Sequence, residues 1–378
     1  MGEEIRVTKK DIEKGQKKVT KGDIKVNHGR PRTMLRDGHI DGFVPLESID
    51  LSKINNFSDM ARAMSFTALT ARRIGEATDL LHNMTKNKDC FTVLTLSGIM
   101  TVAKMGLVIC DMIENGMIDA IVSTGALMTH GYIEGSGMNH FKYEFGQMDD
   151  TKLYYGGYDR IYDTLELEAN LDDAEVIINA VFQSIDPSQP TCSREILYLL
   201  GKHLSEISEG KGVIKTAFQN NVPIYVPAFT DSEMGLDFSI FNKKRVLHGK
   251  DSIPFDPFKD LDDFTELVAN KKELGIITIG GGVPRNWAQQ VGPYIDVMNK
   301  RYQETNRFVR YKYGIRICPE PVHWGGLSGC TYSEGVSWGK FVPKEEGGRT
   351  IEVLSEATAV LPFIIKAVLE RLEEDKKK

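Results

Sequence analysis

Phe91-Thr-Val-Leu-Thr-Leu96-Ser97-Gly98, followed downstream by Ile118-Asp-Ala-Ile-Val122-Ser123-Thr124-Gly125, decides the fold. Each stretch is an apolar run that ends in small, turn-forming residues, the pattern of a strand buried on both faces. Between them, residues 99–114 carry apolar side chains at helical spacing until Asn115-Gly116 closes the helix. A strand, a helix and a second strand over about 30 residues make a βαβ unit, and the strands of such a unit run parallel.

The alternation continues toward the C-terminus. Further strands are expected at residues 222–226, ending in Pro227, and at 274–279, ending in Gly280-Gly-Gly282. Two more are expected at 313–317 and 351–354, with helices at 173–183, 286–299 and 356–372. On the N-terminal side a helix is expected from Ser58, which can cap it, with Met60, Met64, Ala68, Leu69 and Leu80 at helical spacing. The expected fold is therefore α/β, a doubly wound, mostly parallel sheet of Rossmann-like type with an N-terminal helical extension. Residues 1–57 form the arm and extension and residues 58–378 the α/β domain; the polar residues 1–29 read as a mobile arm.

Composition excludes several classes of function. With 378 residues, 41% hydrophobic and 26% charged, the chain can bury a large core and is neither disordered nor a membrane protein. A net charge of −6 supplies no basic field for a phosphate backbone, so no nucleic-acid partner is expected. Cys90, Cys110, Cys192, Cys318 and Cys330 are scattered, odd in number and without a C-x-x-C pair, which fits reduced thiols and a cytoplasmic location. The charged N-terminus has no apolar leader and no run long enough to span a bilayer, so neither secretion nor a membrane partner is expected.

In an open parallel sheet, ligands bind beyond the C-terminal ends of the strands. Ser97-Gly98, Ser123-Thr-Gly125, Thr230-Asp231 and Gly280-Gly-Gly282 all fall at such ends and are expected to converge on one crevice. The triple glycine lets backbone approach a ligand and frees helix amides for an anion. No G-x-G-x-x-G opens the first unit, which argues against an ordinary NAD dehydrogenase. Asp231 suits a hydrogen bond to a ribose or an amine, and equally a turn or helix cap. His130 and His140 flank a loop that also carries Glu134; their spacing matches no zinc pattern, so the loop reads as packing around a cofactor and no metal is expected. The most unusual stretch runs from Trp324-Gly-Gly-Leu-Ser-Gly to Ser-Glu-Gly-Val-Ser-Trp-Gly-Lys340, in which only residues 333–340 can wind into a helix. Lys340, beside a glycine and an indole, becomes a Schiff-base nucleophile only if a partly dry pocket lowers its pKa.

Ser-Trp-Gly-Lys340, Gly-Gly-Gly282, Pro-Ala-Phe-Thr-Asp231 and Ser-Thr-Gly125, in this order, resemble the deoxyhypusine synthase family. The resemblance implies NAD-dependent aminoalkyl transfer in a homotetramer with active sites between subunits. A hydride passes from spermidine to NAD, the imine loses diaminopropane, and the butylamine fragment is held as an imine on the lysine matched by Lys340. The fragment then passes to an acceptor amine: a lysine of a translation factor in deoxyhypusine synthases, putrescine in the derived homospermidine synthases. A non-catalytic NAD-binding paralogue is the further alternative. By position, Ser97, Gly98, Thr124, Gly125, Asp231, Gly281, Gly325 and Glu356 would hold NAD, with Glu356 standing where the family has Asp. Asn286, Ser328, Glu334, Trp338 and Lys340 would line the amine pocket. Asn286 replaces the family's histidine, and Trp324, Leu327, Leu236 and His130 replace acidic residues. Each lost carboxylate removes a charge-assisted hydrogen bond of about 1.5–3 kcal/mol to a polycation. The losses point to a shorter or less charged donor, or to spermidine held by Glu134, Glu233 and Asp237.

Overall fold

Asn56 starts the main body of helices: its side chain accepts from the Asp59 N–H and caps α1 (Phe57–Ser65). The single helix expected from Ser58 is broken at residues 66–68, and Leu69, with φ of 58°, opens α2 (Leu69–Lys86). These are features of a computed structural model that describes residues 36, 38–144, 149–302 and 307–377. The arm expected at residues 1–29 lies outside the described residues. The chain divides into Met1–Leu46 and Glu47–Lys378. In the first unit a turn at Gly38 is closed by the Phe43 N–H donating to Gly38 O at 2.8 Å, and Arg36 pairs with Asp41 at 2.7 Å.

In the second unit the order continues as β1 (Cys90–Leu96), α3 (Gly106–Glu114), β2 (Ala120–Ser123) and α4 (Gly125–Gly135). Helix α3 begins later than expected, because residues 99–105 are turns and Lys104 takes a φ of 62°. Next come β3 (Phe141–Lys142), α5 (Asp150–Tyr155), β4 (Tyr158–Ile161) and β5 (Thr164–Leu167), then α6 (Glu168–Phe182), α7 (Ser193–Ile207), α8 (Val213–Gln219) and β6 (Ile224–Tyr225). The C-terminal part holds α9 (Glu233–Leu247), α10 (Pro257–Ala269), β7 (Glu273–Ile279), α11 (Gly282–Gln289), α12 (Val291–Tyr302), β8 (Tyr313–Ile317), α13 (Tyr332–Ser337), β9 (Arg349–Val353) and α14 (Ala357–Lys376). The helix expected at 286–299 is two helices that meet at Gln290.

Six strands form one sheet in the order β6-β2-β1-β7-β8-β9, every pairing parallel. The doubly wound parallel sheet expected from the sequence is present. Its central strands feed two cores. Leu94, Leu96, Ile277 and Ile279 join one apolar cluster, and Val93, Leu274 and Ile276 join the other. Truncating such a fully buried leucine to alanine costs about 2–5 kcal/mol, so these two strands anchor the domain. From β1 the chain builds outward through β2 to β6, then returns to lay β7, β8 and β9 on the other side. The reversal falls between β1 and β7, the place where a parallel sheet opens a crevice. A second, antiparallel sheet, β3-β5-β4, was not expected from the sequence. Among the described residues no helix is long and apolar enough to cross a membrane.

Candidate functional site

Because all six strands of the main sheet run parallel, their C-terminal ends share one edge, and every expected cofactor residue follows one of them. Ser97-Gly98 follow β1, Thr124-Gly125 follow β2, Asp231 follows β6, Gly281 follows β7, Gly325 and Ser328 follow β8, and Glu356 follows β9. Two of these loops are tied at the switch point. Ser97 Oγ accepts from the Gly281 N–H at 2.9 Å and donates to Ile279 O at 3.1 Å. Gly281 is required by close approach, since a Cβ there would lie 2.5 Å from Ser328 Cα. Likewise a Cβ at Gly125 would lie 2.3 Å from Ser232 Oγ, which brings the loop carrying Asp231 against the start of α4. The N-termini of α4 and α11, at Thr124 and Gly281, have no side-chain cap, and space is open around Gly98 and Gly282. Free amides facing open space at a strand edge suit an anionic ligand.

The two acidic residues of this edge differ. Asp231 is exposed in a turn, and the cap of α9 is Ser232, whose Oγ accepts from the Gly235 N–H at 3.2 Å. Glu356 caps α14, accepting from the Thr358 N–H at 3.0 Å and the Ala359 N–H at 3.2 Å. Burial works to raise its pKa, but these bonds and that from the Thr358 hydroxyl outweigh it and hold the carboxyl below its usual range. Together with Ile99, His140 and Thr358, Glu356 lines a cleft of about 720 Å³.

Lys340 lies in a separate cavity of about 320 Å³ with Asn286, Gln289, Gly325, Leu327, Cys330, Glu334 and Trp338 on its walls. Its backbone is fixed on both sides: the Lys340 N–H donates to Gly335 O and Lys340 O accepts from the Tyr311 N–H, each at 3.0 Å. Its Nζ donates to Asn286 Oδ1 at 2.9 Å. Burial lowers the pKa of this half-buried amine; Cys330 and Glu334 oppose the shift and Arg285 adds to it, with a net lowering. Two arginines that the sequence reading missed hold the loop above. Arg285, 2% exposed, donates to Leu327 O at 3.3 Å. Arg316, 4% exposed, donates to Ser328 O at 2.5 Å and pairs with Glu352 at 2.7 Å. The other Glu352 oxygen accepts from the Tyr332 N–H at 2.7 Å, fixing the start of α13. A charged residue inside the otherwise buried Tyr-Gly-Ile-Arg-Ile317 strand was the available signal. The dry indole wall expected beside Lys340 is not complete within this chain, since Trp338 is 64% exposed.

A family model described as deoxyhypusine synthase matches residues 59–368. The chain belongs to the deoxyhypusine synthase family. A protein from Methanosarcina acetivorans named "Probable deoxyhypusine synthase 2" is 33% identical over 335 residues, covering 88% of this chain and 92% of that protein. Its namesake from Methanosarcina mazei is 33% identical over 329 residues, 86% of this chain and 90% of the other. A "Deoxyhypusine synthase-like protein" from Elusimicrobium minutum is 32% identical over 321 residues, 84% and 82% of the two chains. A solved structure described as a "putative deoxyhypusine synthase" from Entamoeba histolytica shares the fold at a TM-score of 0.54 and 16% identity, covering 86% of this chain and 97% of its own.

In this member of the deoxyhypusine synthase family, the acidic groups weighed above as polyamine ligands lie apart from Lys340. Glu134, considered above as a polyamine ligand, pairs instead with Lys104 at 3.3 Å. Glu233 and Asp237 share a face of α9, where burial, with Glu175 and Glu233 nearby, pushes Asp237 up to about 6. That face follows β6, whereas Lys340 follows β8, four strand spacings or about 19 Å away along the sheet. Within one chain the structure therefore brings together Lys340, Asn286, Glu334, Trp338 and Gly325, sets Ser328 against Gly281, and keeps Asp231, Leu236 and Asp237 at the far end. His130 and His140 meet Glu166, not Glu134.

Proposed function

We propose that this protein is an NAD-dependent transferase that moves an aminoalkyl group from a polyamine, spermidine in the first instance, through an imine on Lys340 to an acceptor amine on a protein lysine of a translation factor. The observation that carries the reading is Lys340: a half-buried amine with a lowered pKa, backbone-fixed and hydrogen-bonded to Asn286 in a cavity whose rim loop packs on the cofactor edge through Gly281. The residues fit NAD, since the helices that follow Thr124 and Gly281 open without a side-chain cap and, with space open at Gly282, suit its pyrophosphate, and Asp231 and Glu356 suit its riboses. When bound, NAD supplies the hydride acceptor for oxidation of the donor carbon beside the secondary amine and returns the hydride at the end. The chain's own residues do the rest. Neutral Lys340 Nζ gives its lone pair to the oxidised carbon, the carbon–nitrogen bond to diaminopropane breaks, and the leaving amine takes up the proton that Nζ gives up. The acceptor amine then attacks the same carbon and Nζ leaves, regenerated. Asn286 orients Nζ without adding a charge that would hold it as ammonium, and Glu334 receives the cationic end of the donor.

The exposure of Trp324, Trp338 and Val322 around this cavity favours closure by a second protomer, as in the homotetramer of the family reading. Free cysteines suit a cytoplasmic location. The test is to incubate the protein with NAD and, separately, spermidine, putrescine or agmatine, reduce with borohydride, and map adducts by mass. An aminobutyl adduct on the Lys340 peptide from spermidine is the expected result. No adduct from any amine, with NAD bound, overturns the proposal.

A further inference from the structure

The small antiparallel sheet has little to hold it. Among the described residues its own apolar cluster is Tyr143, Leu153 and Leu165. Sheets and domains with so few buried apolar groups are usually stapled by a disulfide or a metal. The described cysteines are free, so a disulfide is not the staple.

Glu166 on β5 is 0% exposed, and it faces His130 from α4 and His140 from the segment entering β3. His130 Nδ1 lies 2.5 Å and His140 Nε2 3.5 Å from the same Glu166 Oε2. One donor atom from each of the three residues lies within 4.8 Å of the others. His130 Nδ1, His140 Nε2 and both Glu166 oxygens are closed to solvent, yet none has a partner in hydrogen-bond geometry. Buried polar atoms are rarely left so. Two imidazole nitrogens and a carboxylate gathered within 4.8 Å in a site closed to solvent are the grouping that ligands of a cation make.

We propose that His130 Nδ1, His140 Nε2 and the Glu166 carboxylate bind one divalent transition-metal cation, Zn²⁺ by preference, which fastens the β3-β5-β4 sheet to helix α4. Two imidazoles and a carboxylate suit Zn²⁺ or Co²⁺, whereas Mg²⁺ and Ca²⁺ take oxygen ligands. A tetrahedral ion completes its shell with one water. Lys104 Nζ now lies 3.1 Å from His140 Nδ1 and 3.3 Å from Glu134 Oε1. With the cation on Nε2, Nδ1 carries the proton, and the half-exposed Lys104 turns wholly to Glu134. Helix α4 opens with Thr124-Gly125, so the staple would steady one wall of the cofactor edge. The site stands on these residues alone and does not depend on the reaction proposed above.

The full-length protein, stripped by a chelator and dialysed, is reloaded with Zn²⁺ or Co²⁺. Expected are one Zn²⁺ retained per chain, a visible Co²⁺ spectrum of tetrahedral intensity discharged by Zn²⁺, a higher melting temperature on reloading, and two paramagnetically shifted imidazole N–H resonances in the Co²⁺ form. Glu166→Gln should weaken binding by more than about 100-fold, beyond the 10–100-fold typical of outer-shell changes. Folded wild-type protein that takes up neither ion, or a Co²⁺ form without two shifted imidazole signals, overturns the proposal. So does affinity retained in folded Glu166→Gln or His140→Ala. The two imidazole signals decide the matter on wild-type protein if neither variant folds.

Discussion

Gly281→Ala places one methyl group between the two halves of the site. The φ of Gly281, 171°, lies outside the left-handed region, so the contact made by the new methyl group is the effect to follow. The new Cβ would lie 2.5 Å from Ser328 Cα, 2.9 Å from its Cβ and 3.0 Å from its Oγ. Carbon atoms rest at about 3.5–4.0 Å, so the loops must part by about 1 Å. Neither moves freely: Arg285 and Arg316 pin the carbonyls of Leu327 and Ser328, and Ser97 Oγ pins the Gly281 amide. Overpacking of this kind costs about 1–3 kcal/mol, and each kcal/mol lowers the melting temperature by roughly 2–4 °C in a domain of this size class. A displacement of about 1 Å also lowers a reaction that depends on alignment by about 100-fold. Calorimetric melting, NAD titration and the borohydride-trapped half-reaction read the three effects, with Gly210→Ala as a control because only Ser208 Oγ lies near its Cβ, at 3.7 Å. An alanine variant that melts with wild type and binds NAD equally well would refute the close-packed junction between the two loops.

Further outcomes follow from the Lys340 cavity. Lys340→Arg should abolish the trapped adduct and leave NAD affinity unchanged, because a guanidinium does not deprotonate to a nucleophile; surviving turnover removes Lys340 from its role. The reactive amine is the neutral form, present above the pKa that burial lowers, so adduct formation should rise with pH over a lower range than for a free lysine. Asn286→Asp sets a carboxylate where Nζ now meets an amide at 2.9 Å and should move that limb to higher pH, read from the pH profile of trapping; an unmoved limb would separate Asn286 from the reactive amine. Arg316→Leu leaves Glu352 and Ser328 O without their buried partner and should cost about 3 kcal/mol by denaturant unfolding; an unchanged midpoint would mean that the loop is held otherwise. Cys330 lines the cavity, whereas Cys90, Cys110, Cys192 and Cys318 are buried, so maleimide should label Cys330 first despite a thiol that burial pushes up. Bound polyamine should slow that labelling, followed by peptide mass mapping.

All six strands of the main sheet could be read from the sequence: β1, β2 and β7 are apolar runs closed by Gly or Ser and buried on both faces, and β6, β8 and the half-exposed edge strand β9 are short β-branched or aromatic stretches followed by Pro or Ser. The small sheet escaped because β3 and β4 are mostly exposed and polar, without alternation to mark them. The break at Gln290 did carry a signal, Gly292-Pro293 in the first turn of the second helix, where proline marks a helix start; the apolar periodicity running through it made two helices read as one. Ser97 and Gly281 stood out by residue type and position, whereas Lys340 became a strong candidate, and Asn286 a candidate at all, only through the family resemblance. The roles of Arg285 and Arg316 did not stand out, since a buried charge declares itself only through partners distant in sequence, here the Leu327 and Ser328 carbonyls. The same reason hid Glu166 from the two histidines it faces.

The order in which strands enter the main sheet also sets the order in which a growing chain can acquire its chemistry. As β1, β2 and β6 leave the ribosome, one side of β1 remains a bare edge, because its neighbour there, β7, has yet to be made. Such an edge is prone to mispairing, and the cell's chaperones have a defined interval in which to shield it. The crevice closes only when β7 arrives with its glycines, and Lys340 emerges later still. The amine proposed as the nucleophile is thus synthesised into a fold already prepared to enclose it.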